Sequence, residues 1–496
     1  MSKPSDLCFF ILKKSSSQGK KRVSFQRVFE DYYLLSHETL YVDRKWSVHI
    51  CYHKASGTKR AVKIIPKKSE YELESLLIEY QVLASLDHPC ISKLYDHFES
   101  KINSYLIIDT VADSNLYSFL RETEFIPESD LITIFMKLFK TIHYFHSKGI
   151  CHKNIKLENV FFEKSSGFKN FKLVNFNLAE KFNQKTNFCL PEIRRINGKD
   201  AFKTKTNNCS YKFTKKVGTP IYLAPEILDG KYDERCDIWS SGILLYILLS
   251  SQLPFKGKNI LELFNSVKTV KPNFSSKIWE KRSQVSIKLV QHILSRIEIR
   301  PSAFEILKNE WFQEHSPQLT VNEFKHLHNS IRVFSQYSLL KQVIFYAIVV
   351  NMQSFMFKNY EKYFYAFDFL NQGELLKPEF VTIYKKFTRF DTIEIHRIFD
   401  SLDIFENQQI TYSVFMSSIL PIDLIVTKKN MLLLFDNCNH NQNECIDIHD
   451  FQVMIERLFK YNNSLNSKVK GQAISCFQQD FSQKVSFNEL FQFLKS

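Results

Sequence analysis

The residues of this 496-residue chain best suited to chemistry lie in three short stretches. One is the run His152-Lys153-Asn154-Ile155-Lys156-Leu157-Glu158-Asn159, in which Lys156 stands between the amides of Asn154 and Asn159. Another is Asn175-Phe176-Asn177, which follows Phe171-Lys172-Leu173-Val174. The third is Lys63, in Ala61-Val62-Lys63-Ile64-Ile65. Lysines and amides together suit phosphate and its metal ion. Asn154 and Asn175, however, cannot do what a carboxylate would do there: an amide offers a neutral carbonyl oxygen, takes no proton at neutral pH and is a weak ligand for a hard dication.

The spacing of these stretches resembles a protein kinase. In that template the catalytic loop reads His-Arg-Asp, four residues and Asn, and its Asp accepts the proton of the substrate hydroxyl; a later Asp-Phe-Gly holds magnesium between the β- and γ-phosphates. Asn154 and Asn175 replace both carboxylates, so no catalytic position is intact. The Gly-rich hairpin over the ATP phosphates is missing too, since no glycine lies between Gly19 and Gly57. Counting back from Lys63 places Tyr41, Asp43 and Trp46 at the three glycine positions, two rings and a carboxylate where the backbone should approach phosphate.

The retained parts are equally specific. Lys63 and Glu79 match the strand lysine and its helix partner. Gly218-Thr219-Pro220-Ile221-Tyr222-Leu223-Ala224-Pro225-Glu226 closes an activation segment, Asp237-Ile238-Trp239-Ser240-Ser241-Gly242 opens a long helix, and Arg300 stands where the family pairs an arginine with that glutamate. His152, Phe176, Leu83 and Leu94 match the apolar stack that joins the two lobes of such a fold. Lys63, Glu79, Lys156 and Asn159 read either as a residual nucleotide site or as structural groups, Lys63 with Glu79 as an ion pair bridging strand and helix.

Length and composition bound the rest. The chain is too long for one core and suits two or three domains. Apolar residues make up 44% of it, with 46 Phe, so burial is not limiting. Glycine is scarce at 11 residues, against an average share of about 7%. The net charge of +15 favours acidic partners; with no nucleic-acid motif beside it, protein partners are expected and nucleic acid is not. The opening residues lack a signal-peptide pattern, and Ser2 stands where N-myristoylation needs glycine. The ten cysteines show no CxxC spacing, which fits reduced thiols and a cytoplasmic location. Cys438, His440, Cys445 and His449 match no zinc template and read as coincidence. The most apolar run, Val343 to Val350, is shorter than the roughly 18 residues a membrane span needs, so a helix buried between two domains is expected and no membrane span.

Beyond about Lys358 a helix, a polar loop with one central aliphatic residue and a second helix recur. Leu375, Ile410, Ile446 and Val485 are the central residues, 35, 36 and 39 apart, and Phe380, Phe415, Phe451 and Leu490 each follow by five. This is the rhythm of four EF-hands. Calcium needs oxygen donors at loop positions 1, 3 and 5, Gly at 6 and a bidentate Glu at 12. The first loop supplies Asp368, Gln372, Gly373 and Glu379 but has Leu370 at position 3; the second has Asp403 but also Phe405, Gln408 and Val414. The third offers Asn439, Asn441, Asn443, Glu444 and Asp450, and the fourth Gln478, Asp480, Ser482, Gln483 and Glu489. One weak calcium site is expected, at Asp368, Gln372 and Glu379.

Kinase-like region, helical junction and four hands in one chain resemble a calcium-dependent protein kinase of the plant and protist type, over about residues 37 to 496. The resemblance implies an α+β two-lobed protein kinase fold followed by an all-α, calmodulin-like EF-hand domain. It divides the chain into a basic tail (1–36), a kinase-like domain (37–313), a helical junction (314–357) and four degenerate EF-hands in two lobes (358–496). Within the junction, Asn329-Ser330-Ile331-Arg332-Val333-Phe334 and Leu339-Leu340-Lys341 are similar to the family's autoinhibitory helix, which the EF-hands grip when calcium binds. The departures make a degenerate pseudokinase the expected reading: a catalytically impaired homologue acting as a scaffold or an allosteric subunit through protein contacts, with weak ATP and magnesium binding at most. One alternative is a weakly active, calcium-regulated serine/threonine kinase kept alive by Lys63, Glu79, Lys156 and Asn159; another is a structural part of a cytoskeletal or ciliary assembly. The Lys- and Arg-rich segment between Asn177 and Gly218 reads as a solvated loop or as a docking site for an acidic partner.

Overall fold

The computed structural model describes residues 27–42, 45–67, 70–110, 114–163, 168, 171–182, 192–196, 199–203, 213–315, 319–438, 445–460 and 467–496. The expectations placed on Asp43, on residues 1–26 of the basic tail, on the side chains of segment 183–212, on His440 and on Asn439, Asn441, Asn443 and Glu444 lie outside the described residues.

An antiparallel sheet of five strands forms the first lobe: β1 (Tyr33–Val42), β2 (Ser47–His53), β3 (Lys59–Pro66), β4 (Leu94–Glu99) and β5 (Asn103–Ile108), in the order β1-β2-β3-β5-β4. Strand β3 is central, and Arg60, Ala61, Val62 and Lys63 are all buried in it. The turn from β2 needs a left-handed residue and has Gly57 there, with φ +63°. The register sets Lys63 between Val48 and Leu106, so its side chain shares a face with theirs, toward helix α1 (Glu70–Leu83).

Helices α2 (Glu128–Ser147) and α3 (Arg235–Ser250) are the centre of the second lobe. The α3 sequence is apolar nearly all round, the pattern of a helix enclosed on every side, and every residue from Cys236 to Ser250 is buried. Gly242 lets the helix Gln284–Ile293 approach closely, since a Cβ there would stand 2.4 Å from Ile293 Cγ2. Helix α2 opens with Glu128 and Asp130 at its positive end. Glu128 also ties distant segments together, accepting from the Ser283 N–H at 3.0 Å and Trp311 Nε1 at 2.6 Å. Arg300 clasps Glu226 in a buried pair, with Nη2 3.1 Å from Oε2.

From residue 319 onward the described chain is mostly helical. Helix α4 (Val321–Ser335) starts at a reciprocal cap of Thr320 and Glu323, and buries Phe324, Leu327, Ile331 and Phe334 at the three- and four-residue spacing of one helix face. Helix α5 (Leu339–Asn351) is buried from Leu340 to Val349. This is where the apolar run Val343 to Val350 falls, inside a core shared with the helices that follow. The longer of those are α6 (Glu361–Phe367), α7 (Lys377–Phe387), α8 (Thr392–Leu402), α9 (Tyr412–Ile419), α10 (Lys428–Cys438), α11 (Ile448–Lys460), α12 (Ser467–Phe481) and α13 (Phe487–Lys495). Between paired helices run the short strands β6 (Glu374–Leu376), β7 (Gln409–Thr411), β8 (Cys445–Asp447) and β9 (Lys484–Ser486). Leu375 pairs with Ile410 and Ile446 with Val485, which joins the hands two by two through their central aliphatic residues. The architecture is a two-lobed kinase fold, a β-sheet lobe and a helical lobe, followed by an all-α region consistent with an EF-hand domain. No described helix is long and apolar enough to cross a membrane.

Candidate functional site

The cleft between the two lobes gathers the residues that the sequence singles out. Lys63 and Glu79 are each only 3% exposed, and Nζ lies 2.6 Å from Glu79 Oε2. The same ammonium donates to Asn175 Oδ1 at 3.2 Å and sits 4.1 Å from the centre of the Trp46 ring. Trp46 in turn stacks on Tyr41, with centroids 4.8 Å apart and ring planes 25° apart. A cation over an indole face is attracted by the ring's negative π-surface, so Lys63 has partners on three sides.

Asn175 follows the strand Lys172–Leu173 and adopts φ +69°, a left-handed conformation that asparagine tolerates better than most residues. Its amide continues the chain of contacts. Asn175 Nδ2 donates to Asn159 Oδ1 at 3.4 Å, and Asn159 Nδ2 donates to the main-chain oxygen of Asn154 at 2.7 Å. Asn159 is held in place by the single turn Leu157–Asn159. Lys156, half-buried in the same loop, makes no ion pair among the described residues. The result is a continuous path, Glu79 to Lys63 to Asn175 to Asn159 to Asn154, in which each group satisfies the next.

The catalytic-loop backbone is fixed from below by Asp237. Its carboxylate accepts from the N–H groups of His152 and Lys153, both at 2.8 Å, and from His146 Nε2 at 3.0 Å. Burial pushes the Asp237 carboxyl up, but these hydrogen bonds outweigh it and hold the group below its ordinary value. His146, Cys151 and Asp237 lie close enough to suggest a metal site, yet the carboxylate is already committed to the loop. His152 is buried, which lowers its pKa to about 4; the neutral ring accepts from the Asn154 N–H at 3.1 Å and faces the Val174 oxygen at 3.2 Å. It packs on Phe176 with ring centroids 4.4 Å apart, the interlobe stack that the sequence points to. Lys153, in place of the template's arginine, bonds Glu180 and lies 4.5 Å from the Phe213 ring centre.

Magnesium fits this donor set poorly. The amides of Asn175 and Asn159 are taken up by Lys63 and by each other, and neither brings the anionic oxygen that the ion prefers. The indole of Trp46 covers the ammonium that would meet a phosphate. Spacing alone could place Trp46 at a glycine position, but not show that its ring lies on Lys63.

The loops between the paired helices are likewise closed by their own side chains. Asp368 and Glu379 are 2% and 0% exposed. Asp368 Oδ1 accepts from the Gln372 N–H at 2.7 Å and Oδ2 from the Gly373 N–H at 2.9 Å; Glu379 Oε1 accepts from the Leu370 N–H at 2.8 Å and Oε2 from the Leu376 N–H at 3.1 Å. All four carboxylate oxygens therefore close the loop onto its own backbone, and Leu370 is buried where a third donor would be needed. Burial raises both carboxyls, Glu379 further through the charge of Asp368. In the second loop Asp403 accepts from the N–H groups of Asn407 and Gln408 at 3.1 and 2.7 Å, while Phe405 and Val414 are buried. Gln408 holds φ +65° where a hand needs glycine. Glu489 of the fourth hand caps its own helix through the Ser486 N–H, at 2.8 Å. This donor set does not fit tight calcium binding.

Residues 46–312 match the family model of the protein kinase domain. The chain is 29% identical to calcium-dependent protein kinase 5 of Plasmodium berghei (strain Anka), over 77% of this chain and 65% of that protein. It is 30% identical to calcium-dependent protein kinase 5 of Plasmodium falciparum (isolate 3D7), over 77% and 64%. With calcium-dependent protein kinase 3 of Plasmodium berghei (strain Anka) the identity is 31%, over 64% and 53%. The chain thus spans under two thirds of the length of these relatives.

Proposed function

The chain belongs to the protein kinase family, and on that premise we propose that it is a catalytically silent member whose nucleotide cleft has become structural core. It acts as a scaffold or an allosteric subunit, through contacts with other proteins. One observation carries this reading: Lys63 is held between Glu79, Asn175 and Trp46, at 2.6, 3.2 and 4.1 Å, in the place where phosphate and metal would have to enter. The missing carboxylates at Asn154 and Asn175 support it independently, because one concerns proton transfer and the other the metal. The net charge of +15 directs the proposal toward acidic protein partners.

A second reading, a weakly active calcium-regulated serine/threonine kinase, draws on the intact Lys63–Glu79 pair and on the names of the similar Plasmodium proteins. Ligand binding separates the two. A ligand raises the melting temperature only if the native state binds it appreciably, so millimolar magnesium ATP is expected to leave the melting temperature unchanged. A rise of several degrees, matched by a heat of binding in calorimetry, would favour the second reading.

A further inference from the structure

The second domain does not stand apart from the kinase fold; the end of the junction fastens it, through Ser354 to Asp109 and, just beyond, Lys358 to Glu163, and the degenerate hands add fasteners of their own. The tip of the first loop is Gly373, with φ +70°. A Cβ at this position would stand 2.5 Å from Tyr144 Cδ2 and 3.0 Å from His88 Cδ2. These two rings stack with centroids 5.0 Å apart and make a platform on which the loop rests. Beside it, Glu374 pairs with Lys148 of the kinase fold at 2.6 Å.

The second hand contributes the start of its exit helix. Asp87 of the kinase fold accepts from the Ser413 N–H at 2.9 Å and from Ser413 Oγ at 2.7 Å. Ser413 is the second residue of α9, so a carboxylate from the other domain caps the positive end of that helix. Asp87 is itself positioned by Tyr144, whose hydroxyl takes the Asp87 N–H at 2.8 Å. Tyr365 packs against both cores, and its hydroxyl lies 3.2 Å from Cys90 Sγ. The seam is tight: a cavity between Asp87, His88, Lys172 and Tyr412 measures about 10 Å³, room for about one water.

From this geometry we infer that the helical domain docks on the kinase fold without calcium, the first loop's tip and the second hand's exit helix serving as docking elements for Tyr144, His88 and Asp87. A sensor hand changes shape because the ion draws carboxylates together. Here loop N–H groups already hold the carboxylates of Asp368, Glu379 and Asp403, and the loop tip faces the kinase fold. The docking does not depend on whether the cleft is silent.

The test uses the full chain, with small-angle scattering and limited proteolysis in chelator and in millimolar calcium. The unaltered chain is expected to give one radius of gyration in both buffers. Gly373→Leu and Asp87→Ala are expected to expand the particle in both, with helix content by circular dichroism unchanged. Cleavage between the domains should rise about tenfold, since proteolysis follows the population of the open form. Because Gly373→Leu could fail to fold, a charge swap provides a second arm. Lys148→Glu and Glu374→Lys should each loosen the particle, and the double variant should close it again. The inference is overturned if the unaltered chain compacts only when calcium is added, or if neither the loop variants nor the single reversals change scattering or cleavage.

Discussion

Replacing Lys63 by methionine is expected to destabilise the folded chain by about 3–5 kcal/mol, the range for removing one partner of a buried ion pair. The loss arises because Glu79, 3% exposed, would keep its carboxylate in the core with no ammonium 2.6 Å away. The Asn175 carbonyl oxygen would lose its ammonium donor at the same time. Urea unfolding measures the effect directly. The double variant Lys63→Met with Glu79→Leu should regain most of the loss, since apolar replacement of a whole buried pair is often neutral or stabilising. A cost for Lys63→Met of only about 0–1 kcal/mol, typical of a solvent-screened pair, would mean that the ammonium is not part of the core.

Restoring both carboxylates is expected to leave the chain all but inactive. In Asn154→Asp with Asn175→Asp the general base returns, and such a base contributes roughly 10²–10⁴-fold. The new carboxylate at position 175 would replace an oxygen 3.2 Å from Lys63 and pair with it, while Trp46 would still cover the ammonium. Peptide phosphorylation should therefore remain at least about a thousandfold below the 1 per second that marks the low end of kinase turnover. Adding Trp46→Gly should raise it above the double variant. Full activity in the double variant with Trp46 intact would show that the roof admits nucleotide.

Much of this was legible in the chain itself. The spacing from His152 to Asn159 and the placing of Asn175-Phe176 locate the cleft, because a catalytic loop leaves a local pattern. The rhythm of Leu375, Ile410, Ile446 and Val485 reflects one short strand that recurs in each hand, and the structure pairs these residues two by two. The apolar circumference of Val343 to Val350 requires burial wherever the helix lies. The contacts that decide chemistry were harder to read. Trp46, just before β2, reaches Lys63 of β3 through a ring orientation that no spacing specifies. Asp87 and Ser413 lie 326 residues apart, and neither sequence context announces a partner. Gly373 stands at the glycine position of a calcium loop, and its second role against Tyr144 follows only from how the domains meet. The carboxylates of Asp368 and Glu379 resemble ligands by type, whereas their hydrogen bonds to the loop backbone depend on side-chain conformation.

On the function proposed above, this kinase fold does not transfer phosphate. The most direct measurement is transfer of labelled γ-phosphate from magnesium ATP to a generic Ser/Thr peptide by the purified, unaltered chain, with calcium and with chelator. No transfer above the enzyme-free background is expected in either condition. Turnover near 1 per second, the low end for active kinases, lost on Lys63→Met in a variant that remains folded by circular dichroism, would contradict it.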